Sequence, residues 1–358
     1  MLNIYLFDMD AVLLHPGGYR AALIATVNHF SRGMGLGDLA PTYDEIETFE
    51  AAGITSEWDS APISIAAISL AHSRPDYLSL VERVSAEWRR GECPAEAAYR
   101  VLFPSPSPRG RGRGDKGEGG IFGANGDWHT AILLHSRDIR RSPVLNVFQQ
   151  FTLGDAFEST YGLPRTIDAH STLLKHDRPA LSRPVPPQSA IYTARPSKPP
   201  RDMPPRIGYA PEAELGAQLV GLSHLPIIGF GSFQWLAETI GGHAELYLKP
   251  SPVHGLAAIG AARGGPESES LQAAEAAMRA EWLPPLKDLR GAKGRVTVFE
   301  DSASSIKGVR EAVGLLGSNW ECVGVGISSG GPKRDALAKV ADRVYPSLND
   351  ALDGELNA

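Results

Sequence analysis

Asp8 and Asp10, separated by one residue, are the first groups in the chain whose type and spacing could do chemistry. They follow Ile4, Tyr5, Leu6 and Phe7, a short apolar run suited to a buried strand. A carboxylate at the carboxyl end of a buried parallel strand lies where open α/β sheets bind ligands. Two carboxylates this close repel each other unless a cation or a shared proton compensates, and a hard, oxygen-seeking ion such as Mg²⁺ meets that need. Asp8 could then attack an electrophile while Asp10 moves a proton. The same Asp-x-Asp pattern also occurs as a polar turn whose carboxylates cap backbone, so the rest of the chain has to decide.

Three more polar clusters follow apolar runs. Thr193 ends the run SAIYT, Lys249 follows ELYL at 245–248, and Glu300 with Asp301 follows RVTVF at 295–299. In a parallel sheet the carboxyl ends of the strands share one edge, so clusters far apart in sequence can meet there. Together their types fit phosphoryl transfer, which needs an in-line nucleophile, positive charge around the equatorial oxygens and a metal joining carboxylates to phosphate. Asp8 is the candidate nucleophile, Thr193 a hydroxyl donor to phosphate and Lys249 a fixed positive charge. Asp301, with Glu300, would complete a Mg²⁺ site shared with the two N-terminal aspartates. Each has a plainer role when taken alone: Thr193 a turn before Pro196, Lys249 a solvated surface lysine, Asp301 or Ser302 a helix N-cap.

The elements that must position these residues alternate between strand and helix after residue 186. Strands are expected at 225–229, 245–248, 295–299 and 321–327, and helices at 212–222, 233–240, 253–262, 267–282, 306–313 and 333–340. Such alternation indicates an α/β fold with a parallel, doubly wound Rossmann-like sheet and right-handed crossovers. From 17 to about 181 the texture is instead helical, with apolar spacing at 19–30, 43–52, 62–72, 77–90 and 144–161. Pro62 is expected at the first position of its helix, and arginines in the last turn of 77–90 suit the helix dipole. Residues 104–120, PSPSPRGRGRGDKGEGG, carry almost no apolar side chain and read as a mobile solvated loop rather than an RNA-binding element. Nine of the 28 prolines lie between 179 and 205, marking a hinge or an extended surface path.

Composition limits the classes. A length of 358 residues suggests two domains, one inserted in the other. A hydrophobic content of 42% and a charged content of 21% are ordinary for a globular protein, and a formal net charge of −6 gives no general attraction to nucleic acid or anionic membrane. No apolar run is long enough to cross a bilayer, and no basic leader with a cleavable apolar region is evident, so a cytoplasmic location is expected. Cys93 and Cys322 are far apart and lack metal-ligand spacing.

The order Asp-x-Asp, Thr, Lys, Glu-Asp resembles the four motifs of the haloacid dehalogenase superfamily, most of whose members are Mg²⁺-dependent phosphatases. FDMDAVL is close to the first motif, YTARP resembles the second and YLKPSP the third. VFEDSASSIKGV is similar to the fourth as found in the phosphoglucomutase-like branch. The resemblance implies a discontinuous Rossmann-like core at 1–15 and 186–358, with a helical cap inserted at 16–185. Residues 147–162, VFQQFTLGDAFESTYG, also resemble the exit from such caps.

The chain departs from the family pattern in places. Ala11 stands where the family usually has Gly, which is tolerable if φ there is negative. Ser305 stands where many relatives carry a further aspartate, leaving the metal to the Glu300–Asp301 pair. Arg195 could reach the phosphate or lie on the surface. Asp10 favours ester hydrolysis over halide release, because an alkoxide leaving group needs a proton and a halide does not. A phosphonate hydrolase would need a Schiff-base lysine from the cap, and neither Lys116 nor Lys175 is a convincing one. The expected activity is therefore hydrolysis of a small phosphorylated metabolite. A phosphomutase and a non-catalytic binding or regulatory protein on the same fold are the alternatives. Trp58 and Asp59 are nominated for substrate selection, against a buried tryptophan and a helix-capping aspartate. Oligomeric state is not legible.

Overall fold

The computed structural model describes residues 1–89, 92–104 and 127–356. The expected loop at 104–120, apart from Pro104, and Lys116 with it, lies outside those residues. The strands are β1 (Leu2–Phe7), β2 (Leu14–His15), β3 (Arg178–Pro179), β4 (Ser189–Tyr192), β5 (Ile227–Ile228), β6 (Gly294–Glu300), β7 (Trp320–Ile327) and β8 (Arg343–Tyr345). Six of them form one sheet in the order β5-β4-β1-β6-β7-β8, and every neighbouring pair is parallel. The fold is α/β with a Rossmann-like, doubly wound sheet. β2 and β3 pair separately as a short antiparallel ribbon, Leu14 opposite Pro179.

Period-two alternation explains why the central strands are apolar throughout. Ile4, Leu6, Val296 and Val298 face one layer, with Leu256 and Ile259 of helix Pro252–Ala262 and Val309 of helix Ala303–Leu316. Phe7, Ile191, Phe299 and Val325 face the other, with Ala213 and Ala217 of helix Glu212–Leu219 and Leu352 of helix Leu348–Leu356. A sheet buried on both faces has no polar side to alternate with. Each large side chain so removed from water contributes about 1.5–3 kcal/mol.

The chain divides into two compact units. One comprises Met1–Pro16, Ala156–Pro164 and His176–Ala358 and carries the sheet; the other comprises Gly17–Asp155 and Arg165–Lys175 and is helical. The expected insert at 16–185 differs from this division in three places, because Pro16, 156–164 and 176–185 group with the sheet. Gly154, at φ 55°, ends helix Pro143–Leu153, so the helical texture expected at 144–161 resolves into two helices, the second being Ala156–Tyr161.

The helical unit packs around Leu23, Val27, Phe49, Ile65, Val84 and Phe148. Its helices begin where the sequence offers caps: Thr42 with Glu45 forms a capping box, and Ser56, Asp76 and Ser142 each accept a backbone N–H of the first turn. The cap at Ser56 corrects the role expected of Pro62, which lies inside helix Glu57–Ala71 rather than at its start. Helix Tyr77–Glu87 ends before the arginines expected in its last turn. No helix among the described residues is long and apolar enough to cross a membrane, and Cys93 and Cys322 are free thiols.

Candidate active site

β1 lies between β4 and β6, and the chain leaves it toward β4 before returning on its other side at β6. That reversal opens a crevice at the carboxyl ends, the usual ligand position in this sheet type. The β1–β6 register sets Phe7 opposite Phe299, and the two rings stack with centroids 4.8 Å apart. The next residues are Asp8 and Glu300, and the Asp8 N–H donates to the Phe299 carbonyl at 3.0 Å. Two carboxylates are thus delivered side by side by strand pairing alone.

Lys249 lies between them, its Nζ 2.6 Å from Asp8 Oδ1 and 2.6 Å from Glu300 Oε1. It also donates to the Tyr192 carbonyl at 3.5 Å and sits 4.9 Å from the centroid of the Tyr192 ring. The other Glu300 oxygen accepts the backbone N–H groups of Asp301 and Ser302, each at 3.0 Å. Asp8, Glu300 and Asp301 offer carboxylate oxygens within 4.8 Å of one another. Asp301 in turn pairs with Lys333, at the start of helix Gly331–Ala338.

Charge in this cluster is unevenly balanced. Burial raises the Asp8 pKa well above the usual carboxylate range, and the neighbouring charge of Glu300 raises it further against the pull of Lys249. Glu300 is raised for the same first reason. Burial would lower Lys249, but Asp8 and Glu300 outweigh it and hold the ammonium charged. The surplus is negative, and a divalent cation would offset it.

Lys249 does not end a strand. The expected strand at 245–248 is a single 3₁₀ turn, Ala244–Leu246, followed by a loop with a cis Lys249–Pro250 peptide. Leu246 is solvent-exposed, while Tyr247 and Leu248 pack against the core from the loop rather than within the sheet. The loop is held instead by His254, which sequence reasoning missed: its Nδ1 accepts the Lys249 N–H at 3.0 Å and its Nε2 meets the Ile228 carbonyl at 2.9 Å. Burial pushes this imidazole down to about 3, which keeps it neutral, and the two bonds select the tautomer with the proton on Nε2. Gly308 completes the support, since a Cβ there would lie 2.0 Å from the Pro250 carbonyl oxygen.

Thr193 follows β4, whose Ile191 pairs with Phe7, and so lies at the same edge. Its Oγ1 accepts the Arg195 N–H at 3.2 Å, the turn role considered from sequence, while the hydroxyl proton remains a donor. Asp10 is not among the clustered oxygens. Its carboxylate is gripped by Arg195, with Nε donating to Oδ2 at 2.8 Å and Nη2 donating to Oδ1. Arg195 is buried, which corrects the surface role considered for it, and it also reaches Asp177. Ala11 has φ 59°, the left-handed region, so the condition of negative φ fails and the alanine is strained.

In the helical unit, Asp59 is buried in the first turn of its helix but pairs with Arg137 rather than capping it. The same guanidinium lies 5.3 Å from the Trp58 ring centroid. Both nominated side chains are engaged by one arginine, 78 residues from Asp59 in the chain, that no motif or spacing singles out.

No family model and no curated protein matches the chain. An X-ray structure solved as a Northeast Structural Genomics Consortium target is similar at a TM-score of 0.54 and 16% identity, over 99% of this chain and 98% of that one. A crystal structure titled a hydrolase from Pseudomonas syringae aligns over 99% and 98% of the two chains at 13% identity, but at a TM-score of 0.30. The first likeness is one of fold, and it spans both chains almost end to end.

Proposed function

We propose that the protein is a Mg²⁺-dependent phosphoric monoester hydrolase of the haloacid dehalogenase type, acting on a small phosphorylated metabolite. The observation that carries the reading is Lys249 held between Asp8 and Glu300 beside Asp301, at the crevice end of the sheet. The donor set suits Mg²⁺, being three carboxylates, two of them buried, with negative charge in excess. Asp8, Glu300 and Asp301 would hold the ion, which supplies positive charge to the phosphate oxygens.

The chain's own residues then divide the work. An Asp8 oxygen forms a bond to phosphorus as the phosphorus–oxygen bond to the leaving group breaks. Asp10 gives its proton to the departing oxygen. In the second half Asp10 takes a proton from water as that water attacks phosphorus, which frees Asp8 and inorganic phosphate. Lys249 orients Asp8 and adds fixed positive charge, and the Thr193 hydroxyl donates to a phosphate oxygen. The helical unit is assigned the role of a substrate-selecting cap.

Hydrolysis of p-nitrophenyl phosphate with and without Mg²⁺, in the wild type and Asp8→Asn, tests this. Mg²⁺-dependent turnover that Asp8→Asn abolishes is expected, with radioactive phosphate trapped on Asp8 by rapid quench. Label on another residue, or full activity in Asp8→Asn, overturns the mechanism; no turnover on a panel of phosphorylated metabolites favours a non-catalytic role.

A further inference from the structure

Arg195 spans two carboxylates that come from different parts of the sequence. Its Nε and Nη2 grip both oxygens of Asp10, and Nη2 also donates to Asp177 Oδ2 at 2.9 Å. Asp177 immediately precedes β3, whose partner β2 lies four residues beyond Asp10. Both aspartates are therefore anchored to one short ribbon.

The Asp177 side chain has 0% exposure, whereas that of Asp10 has 36%. The difference separates their roles. Asp10 can meet a reactant; Asp177 cannot. Burying a carboxylate is costly unless it is paired, and Asp177 has that pairing in Arg195. With the charge of Arg195 balanced there, Asp10 can carry a proton and still accept from the guanidinium, and a guanidinium anchored on two sides keeps one orientation.

We infer that Asp177 is a positioning residue that locks Arg195 so that Arg195 holds the Asp10 carboxyl where it exchanges a proton with the leaving group and then with water. Each Asp10 oxygen keeps a second lone-pair direction beyond the one that Arg195 occupies, so the grip does not block that exchange. The inference rests on the reading of Asp10 as the proton donor.

The test compares phosphoenzyme formation from an alkyl phosphate and from p-nitrophenyl phosphate by rapid quench in the wild type, Asp177→Asn and Arg195→Lys, each checked for folding by thermal unfolding. Displacing Asp10 should slow the alkyl ester by about 10²-fold, because its leaving oxygen needs the proton. The p-nitrophenyl ester should slow by less than about tenfold, because p-nitrophenolate departs unprotonated. Arg195→Lys keeps the charge but loses the fork, and should shift the two rates in the same sense. An equal loss for both esters, or no loss for either, overturns the inference by giving Asp177 a merely structural role or none. A wild type inactive on both esters would instead remove the reading of Asp10. A crystal structure of Asp177→Asn decides the positioning claim without turnover: Arg195 and Asp10 should move, and an unmoved pair overturns it.

Discussion

Asp8 and Glu300 are neighbours across the β1–β6 pair, one residue beyond the opposed Phe7 and Phe299, and Lys249 joins them with two 2.6 Å contacts. The relationship follows from register, so a one-residue slip of either strand would separate the two carboxylates and turn one of them to the other face. The site is thus as firmly specified as the hydrophobic packing of β1 and β6.

Glu300 and Asp301 adjoin in sequence but should fail differently. Glu300→Ala leaves Lys249 with a single close carboxylate and strips the acceptor from two backbone N–H groups, and should cost about 1–3 kcal/mol of stability. Asp301→Ala removes a pair with Lys333, a half-exposed lysine, and such pairs are worth about 0–1 kcal/mol. Its effect should appear instead as a higher Mg²⁺ requirement. Urea unfolding and Mg²⁺ titration of activity check the contrast; a reversed order would contradict the assigned roles.

His254 should make stability depend on pH. The unfolded imidazole titrates near 6.5 and the folded one at about 3, so between those values the unfolded chain binds the extra proton. Its contribution is therefore complete above about pH 6.5 and is lost as pH falls toward 3, with a limiting slope of about 1.4 kcal/mol per pH unit. His254→Gln keeps an amide donor and acceptor but cannot titrate. Comparing unfolding free energies of the two proteins from pH 4 to 7 should show a shallower slope in the variant, and parallel curves would remove His254 as the cause.

Ala11 offers a stabilising change. At φ 59° a Cβ is strained by about 1–2 kcal/mol, which glycine avoids at some cost in unfolded-state entropy. Ala11→Gly should raise stability by about 0.5–1 kcal/mol, measured by urea unfolding. A loss of stability would mean that the Cβ makes contacts worth more than the strain.

The apolar runs around Asp8, Thr193 and Glu300 determined by themselves that these residues end buried parallel strands, because a strand covered on both faces must be apolar along its length. Local caps at Thr42, Ser56, Asp76 and Ser142 act over three residues, yet the helix start expected at Pro62 passed over the one at Ser56. Lys249 was identified for the right edge but on the wrong element: its apolar run has strand composition, yet only neighbouring strands make a strand, and none pairs with it. The grip of Arg195 on Asp10 and Asp177, and of His254 on the Lys249 loop, had no sequence signal at all. Hydrogen bonds between side chains on separate elements depend on distances of a few ångströms that periodicity and propensity do not encode. Those were decided only when the crossovers closed the sheet.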